Sequence, residues 1–233
     1  PQNRDSRENR SPERGPMNRH RLAVACALCA GLFLFACGTP QEKKMRLYNK
    51  GQSLYAKADY VKAGLEFRNA LQIDPKFADA CYMLGMSQWM RGDLGGAYGS
   101  LSRATALDPK HRKAQVQLGK LLLVGGETAR AMEKAELVLA EDPVNEDALL
   151  LKGAVFVVGK ENGKAVSHIE GMIAKGATGA EPYLLLARAH LQEKDPRGAE
   201  NALLRGVAGN DNSVQLHRAL ADLYRESGEV DAS

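Results

Sequence analysis

The sequence predicts an all-α fold in which helical hairpins stack into a solenoid, and three observations lead to this prediction. Pro75, Pro109 and Pro143 follow one another at intervals of 34 residues. Small residues recur with the same spacing. Aromatic residues make up only 6% of the chain, whereas it contains 23 glycines. A period of this length is typical of a repeated supersecondary unit, and small side chains allow helices to pack closely.

The period divides the chain into six blocks with no insertion between them. The blocks begin at Lys44, Ala78, Arg112, Glu146, Ala180 and Val214. The eighth residue of each block is small, namely Gly51, Gly85, Gly119, Gly153, Ala187 and Ala221. The twentieth is also small, namely Ala63, Ala97, Ala131, Ala165, Ala199 and Ser233. We expect these residues where the two antiparallel helices of a block approach closely.

Each block is predicted to contain two helices and a turn. In the second half of the first block, apolar residues recur at helical spacing: Tyr60, Val61, Leu65, Phe67, Leu71 and Ile73. Pro75 ends this helix, because proline disfavours helical backbone in the preceding residue. The turns within the blocks contain good turn formers, at Asp59 and at residues 91–93, 125–127, 160–163 and 193–196. Such hairpins are stable only when they stack on their neighbours.

This pattern resembles the tetratricopeptide repeat (TPR) family from Lys44 to the end of the chain. The first block matches the family at Leu47, Gly51, Leu54, Tyr60, Ala63, Phe67, Ala70 and Pro75. The second matches at Leu84, Gly85, Gly92, Ala97, Leu101, Ala104 and Pro109. Blocks four and five depart from the family, since Ala177 and Asp211 replace the proline. The resemblance implies a right-handed superhelix with five full repeats and a partial sixth over residues 44–233.

The first 43 residues are expected to lie outside the repeats. Residues 1–16 contain no apolar side chain and are interpreted as a disordered leader or an over-extended gene start. Residues 17–36 join a basic "NRHR" to fifteen apolar residues, which as a helix would span about 22 Å, less than the ~30 Å of a bilayer core. We therefore predict a signal peptide there, not a transmembrane anchor, followed by a linker over residues 37–43.

The end of this signal peptide resembles the lipobox of bacterial lipoproteins, in the sequence "LFAC" that ends at Cys37. The resemblance implies that the chain is cut before Cys37 and that Cys37 is lipidated. The alternative is an ordinary cleaved signal with a cysteine nearby by accident. Gly38 is not the aspartate that retains such lipoproteins at the inner membrane. The resemblance therefore implies a lipid anchor in the cell envelope, at the outer membrane and facing the periplasm if the host has two membranes.

Composition and motifs argue against several function classes. The processed chain would carry a net charge of +1, which does not favour a nucleic-acid partner. Cys81 is the one cysteine left in the repeats, so no internal disulfide is expected. His111, His168, His190 and His217 are scattered, and the chain contains none of the common metal, nucleophile or phosphate-binding motifs. We expect no enzyme, no cofactor, no metal and no small-molecule substrate.

The TPR resemblance implies that the first helix of each block lines a concave groove through its residues 2, 5, 9, 12 and 13. The candidate partner-binding residues at these positions are Tyr48, Gln52, Tyr55, Tyr82, Met86, Trp89, Met90, Val116, Lys120 and Leu123. Val124 and then Leu150, Ala154, Val157 and Val158 continue the set. Adaptable methionine and rigid aromatic side chains suit an apolar peptide or an amphipathic helix. The alternative is that they only pack between blocks. Tyr48 and Gln52 do not match the TPRs that clamp a free carboxylate.

The predicted function is therefore binding by a membrane-tethered, exported scaffold whose partners are envelope proteins. Three roles remain open. The chain resembles TPR lipoproteins of exopolysaccharide and PEP-CTERM protein-sorting systems. It also fits a pilotin-like or outer-membrane assembly lipoprotein, and an accessory subunit of a glycan-synthesis complex.

The sixth block contains only one helix before Ser233. Leu216, Leu220, Leu223 and Tyr224 are expected to be only partly covered, which predicts that the chain is a fragment of a longer array. The alternative is that this helix is itself a cap. Its polar residues Arg218, Asp222, Arg225 and Glu226 favour that alternative.

Overall fold

A computed structural model describes residues 39–228, and over that range it contains eleven α-helices and no strand. The helices are α1 (Pro40–Ala56), α2 (Tyr60–Ile73), α3 (Ala78–Met90), α4 (Leu94–Leu107), α5 (Arg112–Val124), α6 (Thr128–Glu141), α7 (Glu146–Val158), α8 (Asn162–Ala174), α9 (Ala180–Gln192), α10 (Pro196–Gly209) and α11 (Val214–Ser227). Each odd-numbered helix up to α9 packs on the even-numbered helix that follows it. The predicted all-α solenoid is confirmed.

The turn inside each hairpin repeats one backbone conformation. The fifteenth residue of every block has a positive φ, at Ala58, Gly92, Gly126, Lys160, Lys194 and Gly228. In the first five blocks the next residue is an acidic N-cap. Asp93 Oδ1, for example, accepts a bond from the backbone N–H of Gly96 at 2.9 Å. The left-handed residue reverses the chain, and in the three blocks where the N-cap is aspartate the carboxylate satisfies a backbone donor that the new helix leaves free.

The recurring small residues allow the close approach that the sequence predicted. A Cβ atom added at Gly51 would lie 2.6 Å from Cε1 of Phe67, and one at Gly85 would lie 2.8 Å from Cγ of Leu101. Both glycines are buried, and the twentieth residues of the first five blocks, from Ala63 to Ala199, are completely buried. In these two repeats a large side chain therefore lies directly over a glycine of the paired helix.

The core runs along the stack in three clusters of buried residues. One spans Ala70 to Ala114, the second Ala97 to Val155, and the third Val157 to Leu223. Ion pairs also tie the two ends of some hairpins together at equivalent positions. Lys44 Nζ lies 2.7 Å from Asp74 Oδ2, and the matching distance from Arg112 Nη1 to Asp142 Oδ2 is 2.8 Å.

At four of the five junctions between repeats, the first helices pack more closely than the second helices do. Contacts join α1 to α3, α5 to α7, α7 to α9 and α9 to α11, whereas α3 and α5 lack comparable contacts. Within the described range, successive second helices lack comparable backbone contacts. Because the stack is tighter on the side of the first helices, that side is concave.

Two details at the ends of the array differ from the predictions. Helix α1 begins at Pro40, so residues 40–43 form its first turn and are not linker. Thr39 and Glu42 cap it reciprocally, and Pro40 suits the first helical position. At the other end, Leu216 and Leu223 of α11 are buried within the third cluster, so the expectation of partial cover is wrong for these two residues. Leu220 and Tyr224 are half-buried, as expected.

The leader, the signal peptide and Cys37 lie outside the described residues. Among the helices from α1 to α11, none is both long and apolar enough to cross a membrane.

Candidate functional site

Large apolar side chains are exposed on the concave side at the ends of three first helices. Met90, Val124 and Val158 are the thirteenth residues of blocks two, three and four, and each is the last residue of a first helix. Their exposed fractions are 49%, 65% and 37%. We call them the apolar row. They lie on the face where the sequence pattern predicted partner-binding residues.

A cavity of about 320 Å³ opens beside the apolar row and is lined only by first helices, α5, α7 and α9. Aliphatic side chains form most of its wall: Leu123, Val124, Leu150, Leu151, Ala154, Val157, Val158 and Leu185. Its charged lining residues are Lys120, Glu181 and Arg188. This combination of an apolar wall and charged residues suits a segment with one apolar side.

The charges at this cavity are only partly compensated within the chain. Lys120 Nζ lies 3.9 Å from Asp147 Oδ1, a loose pair at the surface. Arg188 is exposed and has no ion-pair partner in residues 39–228. Lys120 and Arg188 are both ninth residues of their blocks, and Ala154 occupies that position between them. Two cations therefore flank a short side chain across the groove.

The aromatic residues at the N-terminal end of the groove are packed against one another. The ring centroid of Tyr48 lies 5.7 Å from that of Phe67 and 4.9 Å from that of Phe77. Gln52 is exposed, and its Nε2 donates to the Tyr48 hydroxyl at 3.1 Å. Burial, reinforced by the nearby charge of Asp79, raises the pKa of Tyr48 to about 12. Tyr48 is therefore half-buried by packing within the first repeat and against the start of the second.

The remaining aromatic candidates have a similar mixed position. The ring of Tyr55 lies 5.1 Å from that of Tyr60, and the ring of Tyr82 lies 5.0 Å from His111. Tyr82 and Trp89 pack against the second core cluster, and Met86 is half-buried. The alternative interpretation, packing between repeats, thus applies to much of this aromatic set.

Val116 contributes little exposed surface to the predicted site. Its side chain is only 2% exposed and belongs to the second core cluster, although it also lines a cavity of about 300 Å³ together with Lys113 and Asp147. Leu123 is half-buried and lines the cavity, as does Lys120.

The contribution of α9 to the cavity was not predicted from the sequence. Glu181 and Arg188 are the second and ninth residues of block five, so the pattern used for the preceding blocks could have found them. Leu185 is a sixth residue, which the pattern does not assign to the groove. The cavity of the candidate site therefore lies in repeats three to five, and not at the N-terminal end where the sequence predicted most of the aromatic residues.

Other features of the described residues offer little chemistry. A larger cavity of about 460 Å³ lies outside the groove, between the start of α7 and the end of α8, next to the turn in which Ala177 replaces proline. From residue 39 to residue 228, no cluster of three or more His, Cys, Asp or Glu side chains could hold a metal ion. Cys81 is buried, and that burial raises the pKa of its thiol, which disfavours the reactive thiolate.

Comparisons with known proteins agree with this architecture. Residues 82–146 match the family model described as tetratricopeptide repeat. A TPR protein from Thermus thermophilus has 19% identity and a TM-score of 0.66, covering 78% of this chain and 99% of its own. PilF from Pseudomonas aeruginosa has 17% identity and a TM-score of 0.65, covering 82% and 87%. PilW, a widely conserved type IV pilus biogenesis factor, has 18% identity and a TM-score of 0.68, covering 82% and 93%.

No curated protein matches the chain by sequence. At identities below 20%, the likeness to these solved structures shows the fold. Together with the family-model match, it supports the TPR resemblance on which the predicted groove depends.

Proposed function

We propose that this protein is a membrane-anchored, exported TPR scaffold that binds a peptide or an amphipathic helix of an envelope protein in its concave groove. The observation that carries the proposal is the apolar row beside the α5–α7–α9 cavity. Exposed apolar side chains grouped on one concave face are a feature of interaction surfaces. Their charged neighbours Lys120, Glu181 and Arg188 would pair with polar groups of a bound segment and so turn its apolar side toward the row.

The experiment compares two charge-introducing variants in cross-linking and pull-down assays on cells. Val124→Glu places a charge in the apolar row, whereas Val61→Glu places it on α2, on a side chain that is similarly exposed at 59%. We expect Val124→Glu to lower capture of the partner by at least tenfold, because hot-spot losses are typically ~2 kcal/mol or more. Val61→Glu should leave capture unchanged. Equal capture by both variants would contradict the proposal.

Val124 is a better probe than Trp89, the one tryptophan among the predicted partner-binding residues. Trp89 packs against the core. Trp89→Ala would therefore weaken both folding and binding, and its effect on capture alone would be ambiguous.

Lipidation of Cys37 supplies the membrane attachment in this proposal, and the lipobox-like "LFAC" sequence supports it. The test is metabolic labelling with a fatty-acid probe. The parent protein should incorporate label and sediment with membranes, and Cys37→Ser should do neither. A Cys37→Ser protein that keeps its label would rule out acylation at this residue.

For the envelope pathway, we propose a role in exopolysaccharide-associated or PEP-CTERM protein sorting, on the sequence resemblance to lipoproteins of those systems. The second candidate is a pilotin-like role, which the fold likeness to the pilus biogenesis factor PilW favours. The neighbouring genes separate the two. A sortase-like membrane protease and glycosyltransferases would favour sorting, and a secretin would favour the pilotin-like role.

A further inference from the structure

The solvent-facing side of α1 carries a row of basic side chains. Lys43, Arg46 and Lys50 lie within α1, and Lys57 is its C-cap residue. Their intervals of three, four and seven residues place them on one side of the helix. We call this set the α1 basic face. It extends over about 21 Å, given a rise of about 1.5 Å per residue.

These cations are available to an external partner. Lys43, Arg46 and Lys57 are exposed, and none of them forms an ion pair with an acid in the described part of the chain. Lys50 Nζ lies 2.6 Å from Glu66 Oε1, but the Lys50 side chain remains 63% exposed. Glu42 is the one acid within α1, and its carboxylate already accepts the backbone N–H of Thr39 at 2.8 Å.

The positive charge of the described chain is concentrated in this first repeat. Residues 39–77 contain eight Lys and Arg against four Asp and Glu, whereas residues 78–228 contain eighteen against nineteen. The net charge of the processed chain is close to zero, but this average includes a first repeat with an excess of basic residues.

We propose that the α1 basic face lies against the anionic phospholipid headgroups of the membrane to which the protein is anchored. The proposal rests on the proposed function in one respect, the lipid anchor at Cys37, which is only two residues before Thr39. A lipid at that point would hold α1 next to the headgroups. The lipid supplies hydrophobic attachment, and a basic face beside it adds electrostatic attraction to anionic headgroups.

The position of the basic face favours a membrane over a nucleic acid. The four cations of this face follow one helix, and residues 78–228 carry almost equal numbers of acids and bases. A duplex long enough to pass from the first repeat to the later ones would meet no excess of cations there, whereas a flat bilayer needs only the one face.

The test measures binding of the purified full-length chain to phosphatidylcholine vesicles with and without phosphatidylglycerol. The parent chain should prefer the anionic vesicles, and the preference should fall as salt rises. Each cation near an anionic surface contributes about fivefold in affinity, so Lys43→Gln, Arg46→Gln and Lys57→Gln together should reduce that preference on the order of a hundredfold.

The matched control neutralises three exposed cations elsewhere, Arg91→Gln, Lys175→Gln and Arg197→Gln, and should retain the preference. Equal losses in the two triple variants, or no loss in the first, would overturn the proposal. It would also be overturned if the first variant lost binding to duplex DNA but kept its vesicle preference. Circular dichroism confirms that both variants are folded.

A Cys37→Ser background separates this proposal from the anchor. If Cys37→Ser keeps its fatty-acid label, the anchor is wrong, while the preference for anionic vesicles still decides the role of α1. If Cys37→Ser loses its label, the α1 substitutions should reduce the anionic preference of that unlipidated chain as well.

Discussion

Three residues with a Cβ atom, one alanine and two lysines, adopt the left-handed backbone conformation in which glycine is usually found. Ala58, Lys160 and Lys194 have φ values of 58° to 59°, at the same block position as Gly92 and Gly126. A left-handed conformation costs a residue with a Cβ atom roughly 1–2 kcal/mol. The stacked helices on either side therefore impose the turn at those three positions against local preference.

Lys194→Gly should consequently stabilise the fold. Part of the gain is lost because glycine has more freedom in the unfolded chain, so the expected increase in the free energy of unfolding is about 0.5–1 kcal/mol. Denaturant unfolding measures it. Gly92→Ala is the matched control and should cost about 1 kcal/mol. Destabilisation by both changes would show that another contact of Lys194 outweighs its backbone strain.

Tyr48 gives the protein a pH dependence in the alkaline range. Its pKa is about 12 in the folded chain, mainly because of burial, against about 10 in an unfolded one. The folded state thus holds the proton more tightly, so the stabilising contribution is complete below pH 10 and is lost as pH rises toward 12. Tyr48→Phe should reduce the fall in stability between pH 10 and 12, measured by urea unfolding at each pH. An unchanged fall would contradict this role.

At the scale of a single helix, the cap decides how the second helix of each repeat begins. Asp59, Asp93 and Asp195 each accept a backbone N–H three residues later, whereas Glu127 and Glu161 at the same position make no such bond. The longer glutamate side chains instead pair with Arg130 and Lys164. Aspartate is thus the residue that starts these helices by capping.

Asp93→Ala should therefore cost about 1 kcal/mol, the usual value of a lost N-cap. Glu127→Ala should cost less, because it removes an exposed ion pair worth only a few tenths of a kcal/mol. Thermal unfolding of the two variants side by side makes the comparison. An equal loss of stability would mean that the carboxylate acts through its charge and not through the cap bond.

The positions of the helices could be predicted from the sequence, because the 34-residue period repeats their boundaries. The close contact of Gly51 and Phe67 could be predicted as well, since a small residue recurs opposite a large one. Which side of each helix faces the groove could not be predicted. Adjacent positions in a helix differ by about 100° around its axis, so a modest rotation of α9 decides whether its fifth or its sixth residue, Leu185, meets the cavity. That rotation depends on packing between repeats, and so does the burial of Val116.

At the scale of the whole molecule, the core clusters make stability local. The first cluster, from Ala70 to Ala114, shares no residue with the third, from Val157 to Leu223. In stacked repeats each unit contacts only its neighbours, so damage at one end weakens that end most.

Phe67→Ala removes a completely buried ring next to Gly51 and should cost about 3–5 kcal/mol. We expect amide hydrogen exchange to accelerate in α1 to α3 and to stay slow in α8 to α10. Leu203→Ala, in a buried position of the third cluster, should give the reverse pattern. Uniform acceleration along the chain in either variant would show that the array unfolds as one unit.

The turn conformation that recurs at the fifteenth residue of each block also bears on how such a protein can change during evolution. This turn lies inside each hairpin and has the same backbone conformation in every block. A block duplicated in the gene would therefore bring its own turn, and the groove would lengthen without a change to the turns of its neighbours. The binding residues, in contrast, differ from block to block. A lineage can therefore alter the reach of the groove by recombination and its selectivity by point mutation, and the two changes need not occur together.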